Sequence, residues 1–170
     1  MQKPLLILFL SITGVLIAQP PTMELNPNGF DPITVSIPEI RTERLIDATK
    51  TWAPDFNQRQ KGYDITDVTS NSLTISAFKK NAFFYRNLGE RFQYTIKYSM
   101  KITFYNGSYT LLFTVTDIYA DDDKLVSYKI PDYFTASGQL KDGYSDLKPS
   151  LEKTVNNIVT SHYNYIINTQ

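Results

Sequence analysis

The residues with the most chemical reach in this sequence are a lone histidine, His162, an acidic run from Asp121 to Asp123, Ser137 between small residues, and the lysines Lys97 and Lys101. A histidine acts as a general base or metal ligand only with an acid or a further ligand beside it. His162 has isoleucines, Ile158 and Ile166, one helical turn to either side, so it reads as a histidine at the edge of a core. Ser137 lacks the Gly-x-Ser-x-Gly elbow that presents a nucleophile, and the single histidine has no identifiable acid partner for a triad. The aspartate run offers oxygen to a hard cation, but without the alternating acids, turn glycine and distal glutamate of an EF-hand it is expected to be a solvated loop. Gly138 and Gly143 do not form a phosphate loop, and no two carboxylates fall on one rigid face as glycoside hydrolysis would require. The sequence therefore predicts no catalytic residue, no metal site and no cofactor.

Lys97 and Lys101 belong to the clearest pattern in the chain. From Phe92 to Phe104 every second residue is apolar, and the positions between are Gln93, Thr95, Lys97, Ser99, Lys101 and Thr103, which predicts a long strand with one wet side. Asn106-Gly107 follows, the pair that accepts positive φ at both positions of a two-residue type I′ turn. That turn is sufficient reason for the glycosylation-like triplet Asn106-Gly107-Ser108. It also fixes a register in which Phe104 faces Tyr109, Ile102 faces Leu111, Met100 faces Phe113 and Tyr98 faces Val115. On the other side Thr103 meets Thr110, Ser99 meets Thr114 and Lys97 meets Thr116, whereas a slip of one residue would invert the second strand. Lys97, Lys101, Thr110, Leu112, Thr114 and Thr116 are thus a candidate binding face, with Leu112 and Ile118 as apolar residues among polar ones.

The remaining elements must hold that hairpin. Ile33 to Ile37 alternates as a first strand. Thr42 can cap a helix whose apolar residues include Leu45, Ala48, Trp52 and Phe56, with Pro54 ending or kinking it near Ala53. Tyr63 to Thr69 and Leu73 to Phe78 read as a hairpin, and Lys79 to Glu90 as an irregular connection. A long excursion from Asp121 to Pro149 is expected to hold one short edge strand, Leu125 to Ile130. Pro149 and Ser150 open a last helix with Leu151, Val155, Ile158, Val159, His162 and Ile166 on one stripe. The expected fold class is α+β, an antiparallel twisted sheet with helices on one face.

Residues 1–18 have the pattern of a secretory signal peptide: Lys3, an apolar run from Leu5 to Ile17, and the small Ala18 before Gln19. Residues 19–32, rich in proline, read as a linker, and 33–170 as one α+β domain. Cleavage after Ala18 removes Lys3 and leaves the mature chain one negative charge from neutral, which speaks against a nucleic-acid partner. No second apolar run is long enough for an integral span, and the absence of cysteine leaves stability to the core. Export to the periplasm or the medium is the expected localisation.

The order strand, helix, four strands, helix, with the Ala-Gln leader end, the Trp52 helix and the aromatic hairpin, resembles a family of exported Bacteroidetes proteins, domain of unknown function 4468. That family has a TATA-binding-protein-like (TBP-like) fold. The likeness covers about 33–119 and, more loosely, the last helix. It implies fold and export, and brings no site residues. The residues are consistent with a non-catalytic binding or scaffolding domain of the cell envelope whose partner is a protein or a glycan. The alternatives are a carrier holding a small apolar ligand between sheet and last helix, and a hydrolase without a recognisable motif.

Overall fold

The computed structural model describes residues 19–57 and 62–168, so the expected leader lies outside the described residues. In chain order the elements are β1 (Leu25–Asn26), β2 (Gly29–Phe30), β3 (Ile33–Ser36), α1 (Thr42–Asn57), β4 (Asp64–Thr66), β5 (Ser72–Asn87), β6 (Glu90–Tyr105), β7 (Ser108–Tyr119) and α2 (Leu147–Asn168). Strands β3 to β7 form one five-stranded antiparallel sheet in the order β3-β7-β6-β5-β4, and β1 pairs only with β2. The fold is α+β, with the strand-helix-four-strand-helix order that the sequence implies.

One face of the sheet is dry. Val35, Ile75, Tyr98, Met100, Ile102, Phe104, Tyr109, Leu111 and Phe113 are all buried there, and both helices cover them. Trp52 of α1 and Tyr109 of β7 each set a ring edge against the imidazole of His162 on α2, at 5.1 and 5.6 Å between centroids. The predicted α2 stripe, Leu151, Val155, Ile158, Val159, His162 and Ile166, is buried in full. Aliphatic and large aromatic side chains pack together in this core, which has to stabilise a fold without disulfides.

The β6–β7 register agrees with the expectation from Tyr105 opposite Ser108 to Tyr98 opposite Val115. Beyond that point it does not. The ladder shifts so that Lys97 faces Asp117, and Thr116 is the extra residue of a bulge, its hydroxyl donating to the Lys97 carbonyl at 3.1 Å. Unbroken alternation would have buried Asp117 and exposed Ile118. The bulge reverses both, placing Ile118 in the core opposite Ile96.

Other departures have equally local causes. The stretch 79–90, expected to be irregular, completes β5 and starts β6. A bulge between Lys79 and Phe83, with Asn81 at φ 52°, hides the alternation. Hydroxyls of α2 satisfy the backbone freed there, Thr154 donating to the Ala82 carbonyl at 2.6 Å and Ser150 accepting from the Phe84 amide at 3.2 Å. Leu88 and Gly89, with φ 49° and 86°, turn the chain. Helix α1 runs past Pro54 to Asn57, where the Asn57 side-chain Nδ2 donates to the Ala53 carbonyl at 2.8 Å and Phe56 stacks on Trp52. In place of an edge strand at 125–130, Leu125 makes one isolated bridge with Tyr119, and a 3-10 turn, Ile130–Tyr133, follows. Pro131 has no amide to give to a ladder.

The segment expected as a linker is also packed. Met23, Leu25 and Phe30 are core residues, and α2 grips their backbone. The Asn156 side chain accepts from the Met23 amide at 2.8 Å and donates to its carbonyl at 3.0 Å, while Glu152 accepts from the Leu25 amide at 2.8 Å. Asn156→Ala removes both Met23 bonds and is expected to cost about 1 to 3 kcal/mol in urea denaturation. Limited proteolysis of that variant is expected to trim residues 19–30 before any other cut.

Candidate functional site

Among the described residues no element covers the opposite face of the sheet, and its side chains form ordered rows. Strand pairing sets Thr34, Thr110, Thr103 and Ser72 in one row, then Leu112, Lys101, Thr74 and Thr66, then Thr114, Ser99, Ser76 and Asp64. Neighbours in such a row have Cβ atoms about 5 Å apart, so their functional groups can act on one ligand. The hydroxyls supply both donors and acceptors, the lysines only donors. Lys101 and Leu112 are exposed, while Thr74, beside Lys101 in the row, is only 8% exposed.

The predicted face residues Lys97, Lys101, Thr110, Leu112 and Thr114 do come together. Thr116 is exposed at the bulge, beside Lys97 through its backbone bond and not opposite it in the ladder. Ile118, expected among the polar residues, is in the core instead, because the bulge reverses its side. Among the described residues neither Lys97 nor Lys101 forms an ion pair with a carboxylate. Lys129 bonds across the β7 edge to Asp117 Oδ1 and to the Thr116 carbonyl, both at 3.0 Å. Beside Leu112 and Thr114 that edge opens into a cleft of about 290 Å³, whose other wall includes Asn28, Lys129 and Pro131.

The bulge adds a residue that alternation had hidden. Tyr119, opposite Thr95, faces the open side, where its ring lies 5.5 Å from that of Phe78 on β5. The Lys97 ammonium sits 5.9 Å from the centre of the Phe78 ring. Both rings are half-buried. Asp117 held the signal for them: a charge at a dry parity announces that alternation has been interrupted upstream.

Solved structures share this architecture. A TBP-like protein from Parabacteroides distasonis superposes with a TM-score of 0.55 at 18% identity, over 81% of this chain and 92% of that one. A DUF4468 family protein from Bacteroides ovatus superposes with a TM-score of 0.54 at 9% identity, over 81% of this chain and 82% of that one. The chain has a TBP-like fold. The second of these neighbours carries the name of the family that the sequence resembles. No sequence-family profile and no curated protein matches the chain.

Within this TBP-like domain the volume that an apolar ligand would need between sheet and α2 is filled by Tyr98, Phe113, Tyr109 and His162. Tyr98 is pushed up to about 12 by burial, partly offset by its bond to Asn57, and burial likewise raises Tyr109, whose hydroxyl has no partner among the described residues. A second aromatic group lies at the far end of the β5–β6 hairpin, where Tyr85 and Tyr94 share a hydroxyl bond of 2.6 Å under Tyr133 and Tyr144. Burial, then the Tyr85 hydroxyl, raises Tyr94, so the Tyr94 phenol stays neutral and acts as packing. The acidic run forms a turn in which Asp122 pairs with Lys124, whose hydrogen bond lowers its pKa. No helix among the described residues is long and apolar enough to cross a membrane.

His162 is sealed, 0% exposed. Its Nε2 shares a hydrogen bond of 3.0 Å with Thr49 Oγ1, and Nδ1 has no partner among the described residues. Burial holds the imidazole neutral, its pKa down from 6.5 to about 3. The unfolded chain therefore takes up this proton first, so the stability due to a neutral His162 is complete above pH 6.5 and is lost as pH falls toward about 3. From about pH 7.5 to about pH 4.5 the protein is expected to lose about 2 to 3 kcal/mol on this account. Urea denaturation at both pH values is expected to show that loss removed in His162→Gln.

Proposed function

We propose that this chain is an exported, non-catalytic member of the domain-of-unknown-function 4468 family. Its uncovered sheet face binds another envelope component, a protein or a glycan. The observation that carries this reading is the open face itself: rigid strands aligning hydroxyls, two ammonium groups without carboxylate partners among the described residues, and Leu112, 38% exposed, with none of the described elements folded over them. The leader pattern of residues 1–18 supports export. A binding role is favoured over catalysis because His162 lies in the core, away from the face that a substrate could reach. The near-neutral charge argues against nucleic acid.

The test is the combined variant Lys97→Gln, Lys101→Gln, Leu112→Ser, compared with the unaltered protein as bait for envelope extracts. The variant is expected to fold as well as its parent, since surface changes of this kind move stability by about 0.5 kcal/mol each. It is also expected to lose the component, identified by mass spectrometry and sugar analysis, that the parent retains. Equal retention by both would overturn the proposal.

A further inference from the structure

We infer that the component held by the open face is an acidic glycan, stacked on Phe78 and Tyr119 and charge-paired by Lys97, an inference that rests on the face being a binding surface. The Thr116 bulge is what brings Tyr119 to this side, at the expense of a disrupted ladder between β6 and β7. Its ring meets Phe78 at an interplanar angle of 55°, so the pair forms a shallow trough and not a closed stack. Gly62 backs the trough: a Cβ there would lie 2.9 Å from Phe78 Cε2, so the backbone comes close enough to fix the ring. Aromatic faces are electron-rich and attract the polarised C–H groups of a pyranose much as they attract cations.

The polar groups around the trough choose the sugar type. Lys97 lies over the Phe78 ring, and Lys101 follows four residues along the strand, about 13 Å away. Neither has a carboxylate partner among the described residues, so each is available for a ligand carboxylate or sulfate. Between them Ser99, Ser76 and Thr114 offer hydroxyls in one row, suited to hydroxyl-rich ligands. A protein partner fits less well. Protein interfaces are anchored by large apolar side chains clustered in a dry centre, whereas here Leu112, opposite Lys101, lies about 13 Å along the strands from the Phe78 and Tyr119 rings beside Lys97, with hydroxyls between.

Isothermal titration of the purified protein with oligogalacturonide, alginate oligomer and chondroitin sulfate oligosaccharide tests this, with methyl-esterified oligogalacturonide as the uncharged control. At least one acidic probe is expected to bind with Kd below about 1 mM and more weakly as salt rises. Lys97→Gln and Tyr119→Leu are each expected to weaken it about tenfold or more, while Tyr119→Phe, which keeps the ring, binds as the parent does. No binding by any acidic probe, unchanged affinity in Lys97→Gln and Tyr119→Leu, or equal binding of the ester would overturn the inference. If these titrations fail while the Lys97, Lys101 and Leu112 face still captures a defined protein, the sugar is wrong and the binding face stands. Failure of both removes both.

Discussion

The structure depends on one helix satisfying the irregular backbone that surrounds it. A buried amide or carbonyl without a partner costs as much as a lost hydrogen bond, so bulges and non-sheet segments survive in a core only where something else supplies the bond. Helix α2 supplies it in several places. Ser150 and Thr154 serve the β5 bulge, Glu152 and Asn156 serve the segment before β3, and Ser161 accepts from the Trp52 indole at 3.1 Å. The same helix presents its apolar stripe to the sheet. Its polar flanks are therefore as structural as its buried stripe.

Those flanks explain where the sequence was legible and where it was not. The hairpin around Asn106-Gly107 could be read because a turn with demanding φ values and two period-two patterns specify one another, and its register is correct through Tyr98 and Val115. The α2 stripe could be read because helical periodicity is long and uninterrupted. What could not be read lies where bonds between distant residues replace local pattern. Residues 79–90 look aperiodic because their bulge is stabilised by Ser150 and Thr154, far along the chain. Residues 19–32 look like a linker because their prolines are local and their partner, Asn156, is not.

The candidate face shows the same division. Five of its residues, Lys97, Lys101, Thr110, Leu112 and Thr114, follow from alternation alone. Tyr119 and Phe78 do not, since one extra residue at Thr116 transfers Tyr119 from one side of the sheet to the other. The TBP-like fold shared with the two neighbours explains how such a face is built and leaves its chemistry to the side chains, because folds of this kind are scaffolds on which sites differ. In this chain those side chains are hydroxyls, lysines and a pair of rings.

The position of α2 in the chain has a kinetic corollary. Every strand it roofs precedes it, so the ribosome finishes the whole sheet before the element that seals it has been made. During that interval the aromatic side stays wet and adhesive, and the last contacts to form, such as Asn156 with Met23, join residues 133 positions apart. Closure of the core thus waits for α2, the last element in chain order, and the contacts that seal the sheet are among the longest in sequence separation.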